Sequence, residues 1–319
     1  MRVLHYYPNL TQGGMGTVLR TRAKNLPSHK FDLLFSNDSG GGNIFDELPN
    51  VEFRLVRKER LENYLTFTLS QRRYDEVIFT SAPEIANKVF ESLPLALRVY
   101  EFHSSDVRVL SSEVEKLDLR RVDEVRVPSD YLAGIIQSLL PANAQRLVRV
   151  VPNQVDEDMF FVDKHEHGID LSPTLIWVGQ FSRAKGYNDF LRVLGNLPEN
   201  YAGEMYFSGR VPAEMVVGLM AEIARSGVQD RVSIFYNVPQ QELAKRYREL
   251  GDSAVLVSTS LLESFGYGVY EALKCGLRCA VYELPALNAF HEEFPGMIST
   301  APLGEISALA ESILQMHTA

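Results

Sequence analysis

Short runs of β-branched and apolar residues alternate with amphipathic stretches along the whole of this chain, and that rhythm admits few folds. A strand buried on both faces reads as a continuous apolar run, and a parallel neighbour requires a crossover connection, usually a helix. The alternation therefore predicts an α/β protein with parallel sheets covered by helices, and argues against an all-β or all-α fold. Strands are expected at Arg2 to Tyr7, Phe31 to Ser36, Val51 to Val56, Glu76 to Thr80, Arg98 to His103, Glu124 to Pro128 and Val148 to Val151. A second set is expected at Thr174 to Val178, Met205 to Ser208, Arg231 to Tyr236, Ala254 to Thr259 and Cys279 to Glu283, with a last helix from Ile306 to Met316. A length of 319 residues suits two domains, each with its own core.

The most informative stretch runs from Val257 to Gly276 and reads as strand, short loop and helix. Ser264 suits the N-cap of a helix opening at Phe265, and Gly276 closes it. A helix start presents backbone N–H groups and the positive end of a dipole, and Gly266 and Gly268 would let a diphosphate approach them closely. Glu263 and Glu271 flank that pocket. The competing reading makes Ser260 and Glu263 a capping box and Glu271 a solvated helix face. It would place both glycines inside the helix, at about 1 kcal/mol each relative to alanine.

The string E-S-F-G-Y-G-V-Y-E-A-L-K-C-G, from Glu263 to Gly276, resembles the E-x7-E signature of retaining nucleotide-sugar glycosyltransferases of the GT-B fold, the group called family 4. The resemblance implies two Rossmann-like domains facing across a cleft. It also implies transfer of a hexose-type sugar from a nucleotide diphosphate donor, with retention by front-face departure and attack and with no bound metal or other cofactor. In that scheme Glu271 accepts hydrogen bonds from the ribose and Glu263 from the donor sugar. The amides of Ser264, Phe265, Gly266, Tyr267 and Gly268, with Lys185, take the diphosphate.

Other segments resemble the same family in order. Gly179-Gln-Phe-Ser-Arg-Ala-Lys-Gly186 is similar to its G-R-L-x-x-x-K-G, whose arginine and lysine touch the diphosphate. Lys185 matches, Gln180 replaces the arginine, and Arg183 is the candidate substitute. R-V-S-I-F-Y-N-V is similar to the segment that passes the nucleobase, with Tyr236 either stacked on the base or serving as an ordinary strand tyrosine. Gly14 and Gly16 follow the first strand and resemble the glycine loop that faces the donor across the cleft. Leu19 stands where a dinucleotide fingerprint needs its third glycine. V-Y-E-F-H-S-S-D puts His103 at the carboxyl end of a strand and resembles the family strand whose histidine lies near the transferred sugar. His103, Lys185 and Glu263 are the candidate catalytic residues, and Ser129 is expected to cap a helix.

The segment from Val151 to Phe160 resembles P-N-G-V-D-x-x-x-F, with Gln154 for the glycine, and a polar linker containing His165 and His167 follows. This gives an acceptor-side domain over 1–162 and a donor domain over 163–319. Residues 37–43 read as turn chemistry and as mobile. A net charge of −9 argues against a nucleic-acid partner. Cys275 and Cys279 have no partner histidines, which implies neither a zinc site nor a disulfide framework and suits a reducing cytoplasm. No secretory core or spanning apolar run is present. Arg20, Arg22 and Lys24, with Arg57, Lys58 and Arg60, either meet an anionic membrane or are solvated faces. The acceptor, whether glycan, lipid-linked or small molecule, has no legible motif. Two other functions fit the pattern: a non-catalytic nucleotide-sugar binding protein, suggested by Gln180, and a nucleotide-sugar epimerase of the same fold.

Overall fold

A computed structural model describes residues 1–11, 13–93, 95–162, 172–209 and 213–318. His165 and His167 lie outside the described residues, as does most of the polar linker. The chain divides into two compact units, Met1–Gln154 and Val155–Ala319. The division falls after Gln154 rather than after residue 162, because Val155, Met159 and Phe160 are buried in the second unit's core.

In the first unit the strands are β1 (Arg2–Tyr6), β2 (Asn9–Leu10), β3 (Lys30–Phe35), β4 (Asn37–Asp38), β5 (Val51–Leu55), β6 (Glu76–Thr80), β7 (Leu97–Glu101), β8 (Glu124–Val127) and β9 (Val148–Val150). Its helices are α1 (Met15–Asn25), α2 (Lys58–Gln71), α3 (Pro83–Glu91), α4 (Val107–Lys116) and α5 (Asp130–Leu139). Seven strands form a parallel sheet in the order β5-β3-β1-β6-β7-β8-β9. Alternate residues such as Leu4, Tyr6, Val77, Phe79, Tyr100, Phe102 and Val125 pack against α2 to α5. Right-handed crossovers put α1, which runs the other way from β1 to β3, on the opposite face. That face carries His5, Thr80 and Glu101, which alternate with the apolar set. Ser129 caps α5 as expected, its Oγ accepting from the Leu132 amide at 3.2 Å.

Residues 37–43 keep the expected turn chemistry, with Gly40 N donating to Asp38 Oδ1 at 2.9 Å, but the segment is not a free one. β4 pairs with β2, Ser39 N donates to Leu10 O at 2.8 Å, and a Cβ on Gly41 would stand 2.8 Å from the Thr11 backbone. The segment is pinned to the loop after β1 by backbone contacts that no side-chain pattern announces. Two of the three basic residues on α1 also turn inward. Arg20 is buried, and Arg22 forms an ion pair with the fully buried Glu101 at 2.9 Å, so neither belongs to a solvated or membrane-facing surface.

The second unit contains β10 (Thr174–Gln180), β11 (Ala202–Ser208), β12 (Val232–Tyr236), β13 (Ala254–Ser258), β14 (Arg278–Tyr282) and β15 (Ile298–Ala301). Its helices are α6 (Tyr187–Gly195), α7 (Ala213–Ser226), α8 (Gln240–Leu250), α9 (Tyr267–Lys274), α10 (Asn288–Glu293) and α11 (Ile306–Thr318). The parallel order is β12-β11-β10-β13-β14-β15. One face packs on α6, α7 and α11 through Trp177, Met205, Phe207 and Val255, and the other on α8 and α9 through Ile176, Leu256, Cys279 and Val281. β15 was not foreseen, since I-S-T-A lacks the apolar run of a central strand and sits at the sheet edge. No described helix is long and apolar enough to cross a membrane.

Candidate active site

Ligands of open α/β sheets bind beyond the carboxyl ends of the strands where the order reverses. In the second unit that point lies between β10 and β13. These strands are neighbours, and their following helices α6 and α9 cover opposite faces. The loops 181–186 and 259–266 therefore start side by side and diverge, which opens a crevice between them.

Close contacts fix these loops to each other. Leu261 N donates to Ala184 O at 2.8 Å. Thr259 Oγ1 donates to Gly186 O at 2.8 Å and accepts from Trp177 Nε1 at 3.2 Å. Gly186 has φ +65°, and a Cβ there would lie 1.9 Å from Thr259 O, so only glycine fits. The pinned turn carries Lys185 towards Glu263, with Nζ to Oε1 at 2.5 Å. Gln180 and Arg183 are exposed at the same carboxyl edge. The structure thus brings Lys185 and Glu263 into contact, while Gln180, at the end of β10, and Arg183, in the turn after it, form no hydrogen bond or ion pair with those two side chains and remain exposed.

The helix after the loop is α9, and it opens at Tyr267, two residues later than read from the sequence. Ser264 is not its N-cap. Gly266 occupies that position with φ +92°, and a Cβ on it would meet Leu287 Cδ2 at 2.3 Å. Phe265 is buried and packs edge-on against Phe290 at 5.3 Å, so its side chain belongs to the core and only its backbone can face a ligand. Because Phe265 must enter the core, the chain turns through Gly266 before the helix begins. No helix starts near Leu261, which removes the capping-box reading of Ser260 and Glu263. At the other end Gly276 N and Leu277 N donate to Leu273 O and Ala272 O at 2.9 and 3.0 Å, a Schellman closure with Gly276 at φ +85°.

Gly268 and Glu271 stand three residues apart on α9 and share one side of it. Glu271 is buried, and burial pushes its carboxyl up to about 8. Its Oε1 accepts from Gln240 Nε2 at 3.0 Å, and among the described residues no cation is paired with it. Gln240, in the first turn of α8, was not singled out from the sequence. Tyr236 ends the edge strand β12, is exposed, and stacks its ring on Phe207 at 5.7 Å. Register aligns Tyr236 with Phe207 and Gly179, which puts the ring about 10 Å across the sheet from β10.

In the first unit the two candidate glycines have different reasons. Gly14 precedes α1 with φ +57° and open space around its Cβ position, whereas a Cβ on Gly16 would strike Thr11 O at 1.9 Å. His103 lies two residues past the end of β7, and its Nε2 is 3.1 Å from Glu101 Oε2. A cavity of about 390 Å³ in this unit lies elsewhere. Its lining residues Phe31, Glu76 and Glu124 lie at the amino ends of their strands, away from the His103 edge. Among the described residues no group of three or more His, Cys, Asp or Glu side chains is arranged to hold a metal ion.

With that geometry in place, comparison with known proteins is decisive for the second unit. Residues 161–317 match the family model of glycosyl transferases group 1. This domain belongs to the group 1 glycosyl transferases. Over 305 residues the chain is 22% identical to N-acetyl-alpha-D-glucosaminyl L-malate synthase of Bacillus anthracis, covering 86% of this chain and 76% of that protein. Among solved structures, Anabaena Alr3699/HepE in complex with UDP-glucose is similar at a TM-score of 0.79 and 17% identity, over 99% of this chain and 89% of that one. Sucrose-phosphate synthase (tll1590) of Thermosynechococcus elongatus is similar at 0.77 and 17%, over 100% and 90%. The fold of the chain is therefore GT-B, and its E-x7-E block lies within the matched domain.

The burial of Glu271 gives a prediction with a definite sign. Its carboxyl pKa is raised in the folded state, so the unfolded chain ionises first and stability falls as pH rises from the ordinary carboxyl value to about 8. The slope is at most about 1.4 kcal/mol per pH unit, and it levels off above the folded value. Glu271→Gln should flatten this fall when melting temperatures are compared between about pH 5 and about pH 8.5. Equal falls in both proteins would contradict a buried, uncompensated carboxyl.

Proposed function

We propose that this glycosyltransferase transfers a hexose-type sugar from a nucleotide diphosphate donor to an acceptor hydroxyl with retention of configuration. What supports the reading is the contact between Lys185 and Glu263 at the β10/β13 switch point of the matched domain, with Glu271 on the helix that follows β13. UDP-glucose in the similar HepE structure and the glucosaminyl group in the name of the Bacillus anthracis relative support a hexose-type nucleotide sugar.

The diphosphate rests against Lys185 and the amides at the start of α9, where a cation and a helix dipole both favour negative charge. An ammonium has three N–H donors, so Lys185 holds Glu263 and a phosphate oxygen together. Glu263 is thereby oriented to accept from a hydroxyl of the sugar. Glu271, with one oxygen occupied by Gln240, offers the other to the ribose. The bond from the anomeric carbon to the diphosphate oxygen breaks, and its electron pair leaves with the diphosphate. The acceptor oxygen attacks the same face and its proton passes to the departing phosphate. Positive charge aimed at the leaving group is the largest service a site can render to such a step.

Lys185 and the helix amides supply that charge, so transfer proceeds without a divalent metal. Lys185→Ala should weaken nucleoside diphosphate binding by about 1.5–3 kcal/mol, the range for hydrogen bonds to charged groups. It should also lower turnover far more than a chelator does. Activity abolished by chelation and restored by magnesium or manganese would overturn this mechanism.

Gln180 leaves one formal charge fewer than the family pattern. An arginine there makes a bidentate, charge-assisted contact that an amide does not, so Gln180→Arg should tighten nucleoside diphosphate binding measured by calorimetry. If Arg183 already fills the role, Arg183→Ala is costly and Gln180→Arg gains nothing. Loss of neither and gain of neither would mean that the 180–186 turn does not face the phosphates.

A further inference from the structure

The first unit holds a buried charge that the transfer scheme does not use. Glu101 is the last residue of β7 and has no solvent exposure. Phe102 points into the apolar core, so by the two-residue repeat of extended chain Glu101 and His103 share the opposite face. Three donors converge on the carboxylate. Arg22 Nη1 donates to Oε1 at 2.9 Å and Arg22 Nη2 to Oε2 at 3.3 Å, while His103 Nε2 stands 3.1 Å from Oε2. Arg126 of β8 adds a guanidinium 3.9 Å away. Burial alone would push the carboxyl up, but Arg22 and the hydrogen bond from His103 outweigh it and hold Glu101 well below the usual carboxylate range. The neighbouring His5 is driven down to about 3 by burial and stays neutral, bonded to Thr80 Oγ1 at 3.0 Å.

An ionised carboxylate only accepts hydrogen bonds. His103 Nε2 must therefore carry a proton, and the nitrogen left for any partner is Nδ1. We propose that Glu101 is a positioning residue that fixes the imidazole of His103, so that Nδ1 is the ring nitrogen left to meet a substrate hydroxyl at the carboxyl edge of the first unit's sheet. Arg22 extends the device. It projects from α1, the helix that has Gly14 at its N-cap and Gly16 in its first turn, so a single carboxylate ties the glycine-bearing helix to the histidine strand end. The inference rests on the reading of His103 as lying near the transferred sugar, and it goes beyond that reading by assigning the carboxylate and the nitrogen.

The test has a spectroscopic arm and a kinetic arm, both on the full chain. The ring nitrogens of His103 are read by ¹⁵N–¹H long-range NMR at alkaline pH, with the signal assigned by its loss in His103→Gln. The wild type should show the Nε2–H form with a bare Nδ1, and Glu101→Gln should convert the signal to a mixture of tautomers. An Nδ1–H form in the wild type would overturn the proposal without any variant having to fold. For the kinetic arm, nucleoside diphosphate release is measured from a panel of UDP-, GDP- and ADP-sugars, and the donor turned over fastest by the wild type is kept. Glu101→Gln should lower kcat at least tenfold while nucleoside diphosphate affinity stays within twofold, and Glu101→Asp should recover part of the loss. Unchanged kcat in Glu101→Gln would remove the positioning role. Unchanged turnover in His103→Gln would instead remove His103 from the reaction, an outcome distinguishable because the tautomer signature does not depend on turnover.

Discussion

Everything the second unit can do with a ligand depends on how Thr259 pins two diverging loops. β10 and β13 lie side by side, yet their helices leave for opposite faces, and nothing in the sheet itself holds the loop tips together. The buried Thr259 hydroxyl supplies that link by donating to Gly186 O and accepting from Trp177 Nε1. A hydroxyl satisfied in both roles is well suited to a dry interior, where an unpaired polar group costs about 1–3 kcal/mol. Glycine at 186 follows from the closeness of that approach, and the placement of Lys185 beside Glu263 follows from the glycine.

Two buried carboxylates show how differently the units treat charge. Glu101 is surrounded by guanidinium groups and an imidazole, and remains ionised despite complete burial. Glu271 has an amide for a partner and is pushed towards its neutral form. The first arrangement fixes geometry, since a triply donated carboxylate has little freedom to rotate. The second leaves a group whose protonation a bound ribose can change, because hydrogen bonds to the charged form favour ionisation.

The fold was legible because its signals are local and repeated. Apolar runs marked the central strands, and the E-x7-E block marked the helix that carries Glu271. What escaped reading has tertiary causes. The helix starts at Tyr267 because Phe265 is drawn into the core against Phe290, a contact made across distant residues. The 37–43 segment is held by backbone bonds to the loop after β1, which its glycines and asparagines disguise as a free turn. Arg22 reads as a surface cation on α1 until the fold places Glu101 beneath it. Gln240 was invisible as a site residue for the same reason, since its partner lies 31 positions away on another helix.

The central claim is that a nucleoside diphosphate is held between the Lys185 turn and the start of α9. Amide hydrogen exchange of the full chain, with and without saturating nucleoside diphosphate, reads this directly. The amides of residues 183–186 and 264–268 should become protected on binding, together with those near Glu271, while the first unit's sheet is little changed. Binding that leaves these two loops exchanging at their unliganded rates would contradict the account.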